Sequence, residues 1–325
     1  MRYDDSDRES SNVEDRRSQG GGGFRFPGGG GRGIQIPMGR GGGGFSITTL
    51  LIIGAIMLLF GLNPLDLLRG GGGGGFNFPE LPQNQRVDRA PQPGGSPFEL
   101  PGRGSAPSSA GEEEAARFIR RVLADTEDVW KRIFQSFGKT YEEPRLVMFR
   151  QATNSGCGTG LAQMGPFYCP LDKKVYLDLS FFNELSRRFG APGDFAQAYV
   201  VSHEVGHHVQ MLLGIAEGVQ RRKQQLPERQ ANALQVRMEL QADCFAGVWA
   251  SLAHQLKNRL QPGDVEEGLR AAAAIGDDMI QKQTQGRVVP EAFTHGSSEQ
   301  RVRWFRRGLD SGQIQQCDTF NASTL

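Results

Sequence analysis

Two histidines four residues apart, His203 and His207, with Glu204 directly after the first, make the stretch HEVGH the strongest constraint on how this chain folds. In an α-helix, residues four apart lie one above the other on one face. Both imidazoles can then reach a single ion, while Glu204 sits about 100° round the axis. The flanking residues supply such a helix. Pro192 and Gly193 break the preceding chain, Asp194 with Gln197 three residues on has the form of a capping box, and Gly214 offers a left-handed stop. With only five histidines in the chain, the pattern arises by accident well under once.

The rest of the fold is assembled around that helix. The 45 glycines and 17 prolines are concentrated in the first third, which leaves one foldable domain of roughly 200 residues. Phe118, Val122, Val129, Ile133 and Phe137 recur at mostly helical spacing, the stripe of a helix packed on a core. Residues 146–149 read as a strand, and 164–169 and 174–179 as two more joined by a turn, giving a small antiparallel sheet. Helices follow over 228–260, ended by Pro262 and Gly263, and over 264–285, ended by Gly286; a short last one is capped by Ser297. Strands first and helices afterwards imply an α+β domain over 112–325.

The first third reads differently. Residues 1–44 mix charge with glycine runs and carry too few apolar side chains to offset the entropy of ordering, so a disordered tail is expected. Its Arg-Gly pairs around Arg32 and Arg40 resemble RNA-binding segments. Only Phe24, Phe26 and Phe45 interleave with them, and 37 basic against 36 acidic side chains leave no overall field, so no nucleic-acid partner is expected. Residues 45–62 are eighteen residues without a charge, enough for one transmembrane helix across roughly 30 Å of hydrocarbon. Arg25, Arg32 and Arg40 precede it and Arg69 alone follows, which puts the N-terminus in the cytoplasm and the domain outside. Residues 63–111, rich in Gly and Pro, form the tether. The four cysteines contain no CxxC pair and are expected as Cys157–Cys169 and Cys244–Cys317 disulfides, buried free thiols being the alternative.

The chemistry follows from HEVGH. Neutral imidazoles bind zinc and leave a position for a water whose pKa the metal lowers to about 7; Glu204 would take its proton as the water attacks a peptide carbonyl. A further protein ligand is needed. In the metzincin pattern glycine and histidine stand three and six residues after the second histidine, but here those places hold Gln210 and Leu213, which excludes that class. The gluzincin alternative takes a glutamate from a later helix, and Glu239 is the candidate. Asp243, one turn beyond on the same face, is placed to accept a proton from the outer nitrogen of a ligand imidazole.

HEVGHH followed by ELQADCFAGVWA and FTHGSSEQR, together with FYCPLDKKVYLDLSFF, resembles the bacterial neutral zinc metallopeptidase family, and more distantly the membrane-associated gluzincins related to HtpX and the CAAX prenyl protease. The resemblance implies a zincin-like domain holding one zinc ion through His203, His207 and Glu239, with Glu204 as base. In the distant relatives a Thr-His-Pro triplet precedes an arginine. Here the triplet is Thr294, His295 and Gly296, the arginine is Arg301, and glycine in place of proline implies a looser loop. His295 is open to two roles, hydrogen-bond donor to the oxyanion of the tetrahedral intermediate or a pin for its loop. His208 is expected in a core or surface role, and Asp277 with Asp278 in a salt bridge or cap. The sequence thus implies a membrane-anchored zinc metallopeptidase acting on proteins or peptides, with a catalytically silent zinc-binding envelope scaffold as the alternative.

Overall fold

The computed structural model describes residues 1–18 and 109–325. In chain order these form β1 (Val13–Asp15), α1 (Ser109–Ser136), β2 (Arg145–Phe149), β3 (Ala152–Ser155), β4 (Gly158–Leu161), β5 (Phe167–Cys169), β6 (Lys174–Asp178), α2 (Ser180–Arg187), α3 (Asp194–Leu212), α4 (Ile215–Lys223), α5 (Glu228–Lys257), α6 (Asp264–Ala274), α7 (Asp277–Gln285) and α8 (Ser298–Ser311). Mixed helix and sheet is what the order of patterns implies. The main sheet runs β1-β2-β6-β5. Its β5–β6 edge is antiparallel, as is the separate β3–β4 hairpin, whereas β1 and β6 both run parallel to β2. The antiparallel β5–β6 pairing is as expected, and the parallel pairings of β2 are the departure, for a physical reason. Leu146, Val147, Met148 and Phe149 are all buried, a continuous apolar run suited to a strand covered on both faces.

The HEVGH helix is α3, and fourteen of its residues are buried, so it is a core helix rather than an amphipathic surface one. Asp194 does not cap it; Gly193 occupies that position and the Asp194 carboxylate pairs with the Met1 ammonium at 2.5 Å. Helix α5 runs beside α3, and glycine lets the two touch: a Cβ on Gly206 would lie 3.0 Å from the Ala242 carbonyl oxygen. On its other side α5 crosses α8 at Gly247 and Gly308, where a Cβ on Gly308 would lie 1.9 Å from the Cys244 oxygen. Cys244–Cys317 ties the chain after α8 back to α5, and Cys157–Cys169 ties β5 to the turn after β3. The helix expected over 264–285 is two. Gly276 packs so closely on Ser298, 2.4 Å from its nitrogen to a notional Cβ, that the chain turns there and restarts with Asp277 in the first turn of α7.

Two expectations for the first third are corrected. Residues 1–18 are folded rather than part of a tail. Met1 is buried, β1 pairs with β2, and Arg8, Ser10 and Asn12 all reach the buried Glu127 of α1. Arg259 stacks on Tyr3 at 4.3 Å and pairs with Asp7 and Asp125. Complementary charge orders a segment whose own apolar content is too small to do so. The single-pass membrane topology falls as well. No helix among the described residues is long and apolar enough to cross a membrane. Strands β1 and β2 are paired neighbours, so residues 13–15 and 145–149 lie on one side of any bilayer, while a single crossing by 45–62 would part them. The stretch 45–62 itself, the rest of the expected tail and the tether up to 108 lie outside the described residues.

Candidate metal centre

The close approach of α3 and α5 brings two helix faces together, His203, Glu204 and His207 from one and Glu239 and Asp243 from the other. Glu239 Oε2 lies 3.3 Å from His203 Nε2 and 3.4 Å from His207 Nε2. Tetrahedral bonds of ~2.0–2.1 Å separate neighbouring donor atoms by ~3.3–3.4 Å, and two imidazole nitrogens with one carboxylate oxygen form a donor set that zinc takes. These three residues can therefore hold a metal ion.

The outward atom of each is held in turn. His203 Nδ1 is 2.8 Å from Asp243 Oδ1, which also accepts from the Tyr199 hydroxyl at 2.5 Å and from Arg301 Nη2 at 2.9 Å; Arg301 Nε donates to Oδ2 at 2.9 Å. His207 Nδ1 is 2.9 Å from Gln210 Oε1. The Gln210 amide cannot usefully flip, because its nitrogen donates to the Met238 carbonyl at 2.7 Å and to Gln241 Oε1 at 3.0 Å, and Gln241 in turn donates to the Cys317 carbonyl at 3.0 Å. Glu239 Oε1 accepts from Gln235 Nε2 at 2.8 Å, and Gln235 Oε1 accepts from Lys223 Nζ at 2.6 Å. Each outer partner fixes a donor–acceptor sense: both Nδ1 atoms carry hydrogen, so both Nε2 lone pairs face the centre.

The field of the centre suits a cation. Burial opposes a charged imidazole, yet in the metal-free protein Asp243 and Glu239 raise His203 to about 9 and Glu239 also raises His207, so a metal ion taking the site displaces a proton before the Nε2 lone pair is available. Burial likewise opposes ionised carboxylates, but His207 and His203 hold Glu239 well below the usual range, and Arg301 and His203 lower Asp243. Glu204 is only 8% exposed, and its carboxylate accepts no hydrogen bond from the described residues.

A sequence model of the family described as "putative neutral zinc metallopeptidase" matches residues 1–320. The chain belongs to this family. "Uncharacterized protein YpfJ" of Escherichia coli (strain K12) is 47% identical over 316 residues, 97% of this chain and 98% of the relative. "Uncharacterized protein Rv2575" of Mycobacterium tuberculosis (strain ATCC 25618 / H37Rv) is 43% identical over 226 residues, 65% of this chain and 74% of the relative. No solved structure matches the chain.

In this family member the remaining histidines take distinct places. His295 stands on the loop between α7 and α8 with its side chain 51% exposed. Asp277 holds that loop: one carboxylate oxygen accepts the amides of Thr294, His295 and Gly296 at 2.7, 2.6 and 3.0 Å, and the other lies 3.1 Å from His295 Nδ1. Partial desolvation of this half-exposed side chain opposes protonation of His295, but Asp277 and the nearby Glu239 raise its pKa. Glycine in the triplet does not loosen the loop. Gly296 has φ 90°, which proline cannot adopt, and it supplies an amide that proline lacks. His208 is buried and structural, its Nδ1 2.9 Å from the Tyr168 hydroxyl and its Nε2 2.7 Å from the Glu142 carbonyl. His254 Nδ1 accepts from the Leu260 amide beyond the end of α5.

Tyr199, Gln210, Gln235 and Gln241 carry no expectation of this kind from the sequence, whereas Asp277, expected in a salt bridge or cap, pairs with His295. For two of them the signal was available. Gln210 follows His207 by three residues and Gln235 precedes Glu239 by four, the helical spacings at which side chains meet.

Proposed function

We propose that this chain is a zinc-dependent endopeptidase of the gluzincin type, with His203, His207 and Glu239 as ligands of one zinc ion, Asp243 orienting His203, Glu204 as general base, and His295 as donor to the substrate oxyanion. The observation that carries the reading is the convergence of the two Nε2 atoms on Glu239 Oε2 at tetrahedral spacing, with the far atom of every one of those residues already engaged. When bound, zinc in a His2Glu site brings the pKa of water to about 7 and polarises a carbonyl.

The protein's own groups do the rest. Glu204, without a hydrogen-bond partner among the described residues and next in sequence to His203, takes the proton from the attacking water and returns it to the leaving amine. His295, with Nδ1 held by Asp277, presents Nε2 as a hydrogen-bond donor to the developing oxyanion. Gln210, Gln235 and the Asp243–Arg301 pair keep the donor atoms in place, so little reorganisation accompanies binding. The test is Glu204→Gln in the zinc-loaded protein, measured on a mixed peptide library. Zinc content should stay at one ion while cleavage disappears; unchanged cleavage overturns the mechanism. A wild-type protein that carries zinc and cleaves no member favours the scaffold reading instead.

A further inference from the structure

Lys223 brings a positive charge to the metal centre that no carboxylate among the described residues pairs with directly. It closes α4 in a basic last turn, Arg221, Arg222 and Lys223. A helix C-terminus favours cations at the surface, and Arg221 behaves so, pairing with Glu217 one turn back. Lys223 instead lies partly buried, with Nζ 2.6 Å from Gln235 Oε1. That bond is its ammonium's one hydrogen bond among the described residues, and the ammonium forms no ion pair among them. An ammonium has three donors, so two remain. Burial lowers its pKa from the usual lysine value while the field of Glu239 opposes the shift, so the charge sits near the centre in a poorly solvated place.

The local charges sharpen the point. Asp243 is matched by Arg301 and Asp277 lies against His295. A divalent ion is balanced by Glu204 and Glu239. Lys223 then stands in excess, two hydrogen bonds from Glu239, with room in its donor set for a partner bearing two acceptor oxygens.

We propose that Lys223 forms an anion subsite beside the metal centre, which takes a carboxylate of the bound peptide. The inference rests on the peptidase reading and narrows its substrate class to peptides carrying a carboxylate close to the scissile bond: an Asp or Glu side chain, which keeps the endopeptidase reading, or a C-terminal carboxylate, which replaces it with carboxypeptidase action. One oxygen pair meets the two free N–H donors of Lys223, and Gln235 keeps the ammonium aimed by accepting the third. Ground-state recognition of this kind acts on binding, so it lowers KM more than it raises kcat.

The experiment uses peptide hydroxamates, which chelate zinc without requiring turnover, bound to the full-length zinc-loaded protein. Two matched pairs differ only in charge: Asp against Asn at the residue next to the chelator, and a free against an amidated C-terminus. Wild type should prefer the charged member of one pair by about tenfold. The preference should fall to about one in Lys223→Met and return in Lys223→Arg. A change in zinc affinity moves both members equally, so the ratio separates charge recognition from a merely structural role of Lys223. Preference in the side-chain pair identifies an acidic residue as the ligand, and preference in the terminal pair identifies a C-terminal carboxylate. Hydroxamates that bind without preference in either pair, or a preference that survives Lys223→Met, overturn the subsite and leave the peptidase reading standing. Hydroxamates that bind neither variant nor wild type overturn the metal-centre reading, and the subsite with it.

Discussion

Replacing Asp243 with Asn tests the centre at its most connected point. The carboxylate is fully buried and takes four hydrogen bonds, three on Oδ1 from His203, Tyr199 and Arg301 and one on Oδ2 from Arg301. An asparagine satisfies the three donors only by keeping its carbonyl at the Oδ1 position, which sets its NH2 against Arg301 Nε, donor facing donor. Arg301, 3% exposed, then keeps its charge with no paired counterion among the described residues. Breaking a buried pair in this way costs about 3–5 kcal/mol. A second effect is separate from the first. The imidazole of His203, raised to about 9 partly by Asp243, becomes a weaker base and a less firmly oriented ligand; loss of such an outer partner lowers metal affinity roughly 10–100-fold. Urea unfolding of the zinc-free protein measures the first and chelator competition for zinc the second. Because each single change strands a buried group, Asp243→Asn combined with Arg301→Gln should cost less than the sum of the two separately. An Asp243→Asn protein with wild-type unfolding midpoint and wild-type zinc affinity would refute the reasoning for both.

Two further outcomes follow from the same geometry. Gln210→Ala removes the acceptor of His207 Nδ1 and strands Gln241 Oε1; chelator competition should show zinc held about tenfold more weakly, with urea unfolding of the zinc-free protein showing a loss of about 1–3 kcal/mol. Asp277 is held below the usual carboxylate range, burial opposing and His295 with the loop amides prevailing. Its contribution is therefore present above an ordinary carboxylate pKa of about 4 and is lost as pH falls through the lowered value; unfolding measured across that acid range should lose this slope in Asp277→Asn.

What the sequence discloses about this molecule depends on how local the cause is. HEVGH specifies its helix because both histidines need one face, and Ser297 is the expected cap of the last helix, which the structure completes as a capping box with Gln300; both depend on residues three or four apart. The Cys157–Cys169 bridge is legible because its cysteines stand only 12 apart in sequence, although the segment between them is not the closed hairpin that spacing suggests: β4 pairs with β3 and β5 with β6. The N-terminal strand is illegible by the same measure. Residues 1–18 look unfoldable on their own apolar content, and what orders them is a set of acids more than a hundred residues later: Glu127 meets Arg8, Ser10 and Asn12, and Asp125 meets Arg259 under Tyr3. A composition test counts what a segment can bury and omits what the remainder of the chain can pair with it. The error then propagates. Once residues 1–44 are taken as a tail, nothing prevents the stretch 45–62 from dividing tail and domain between two sides of a membrane, and charge asymmetry chooses the sides. The pairing of β1 with β2 removes that freedom, because two hydrogen-bonded strands share one side whatever the chain between them does. The outer partners of the metal centre sit between these extremes. Gln210 and Gln235 are local to the residues they orient and so were within reach of helical spacing, whereas the grip of Asp277 on three successive amides of the His295 loop depends on a helix break at Gly276 that only the packing of Ser298 imposes.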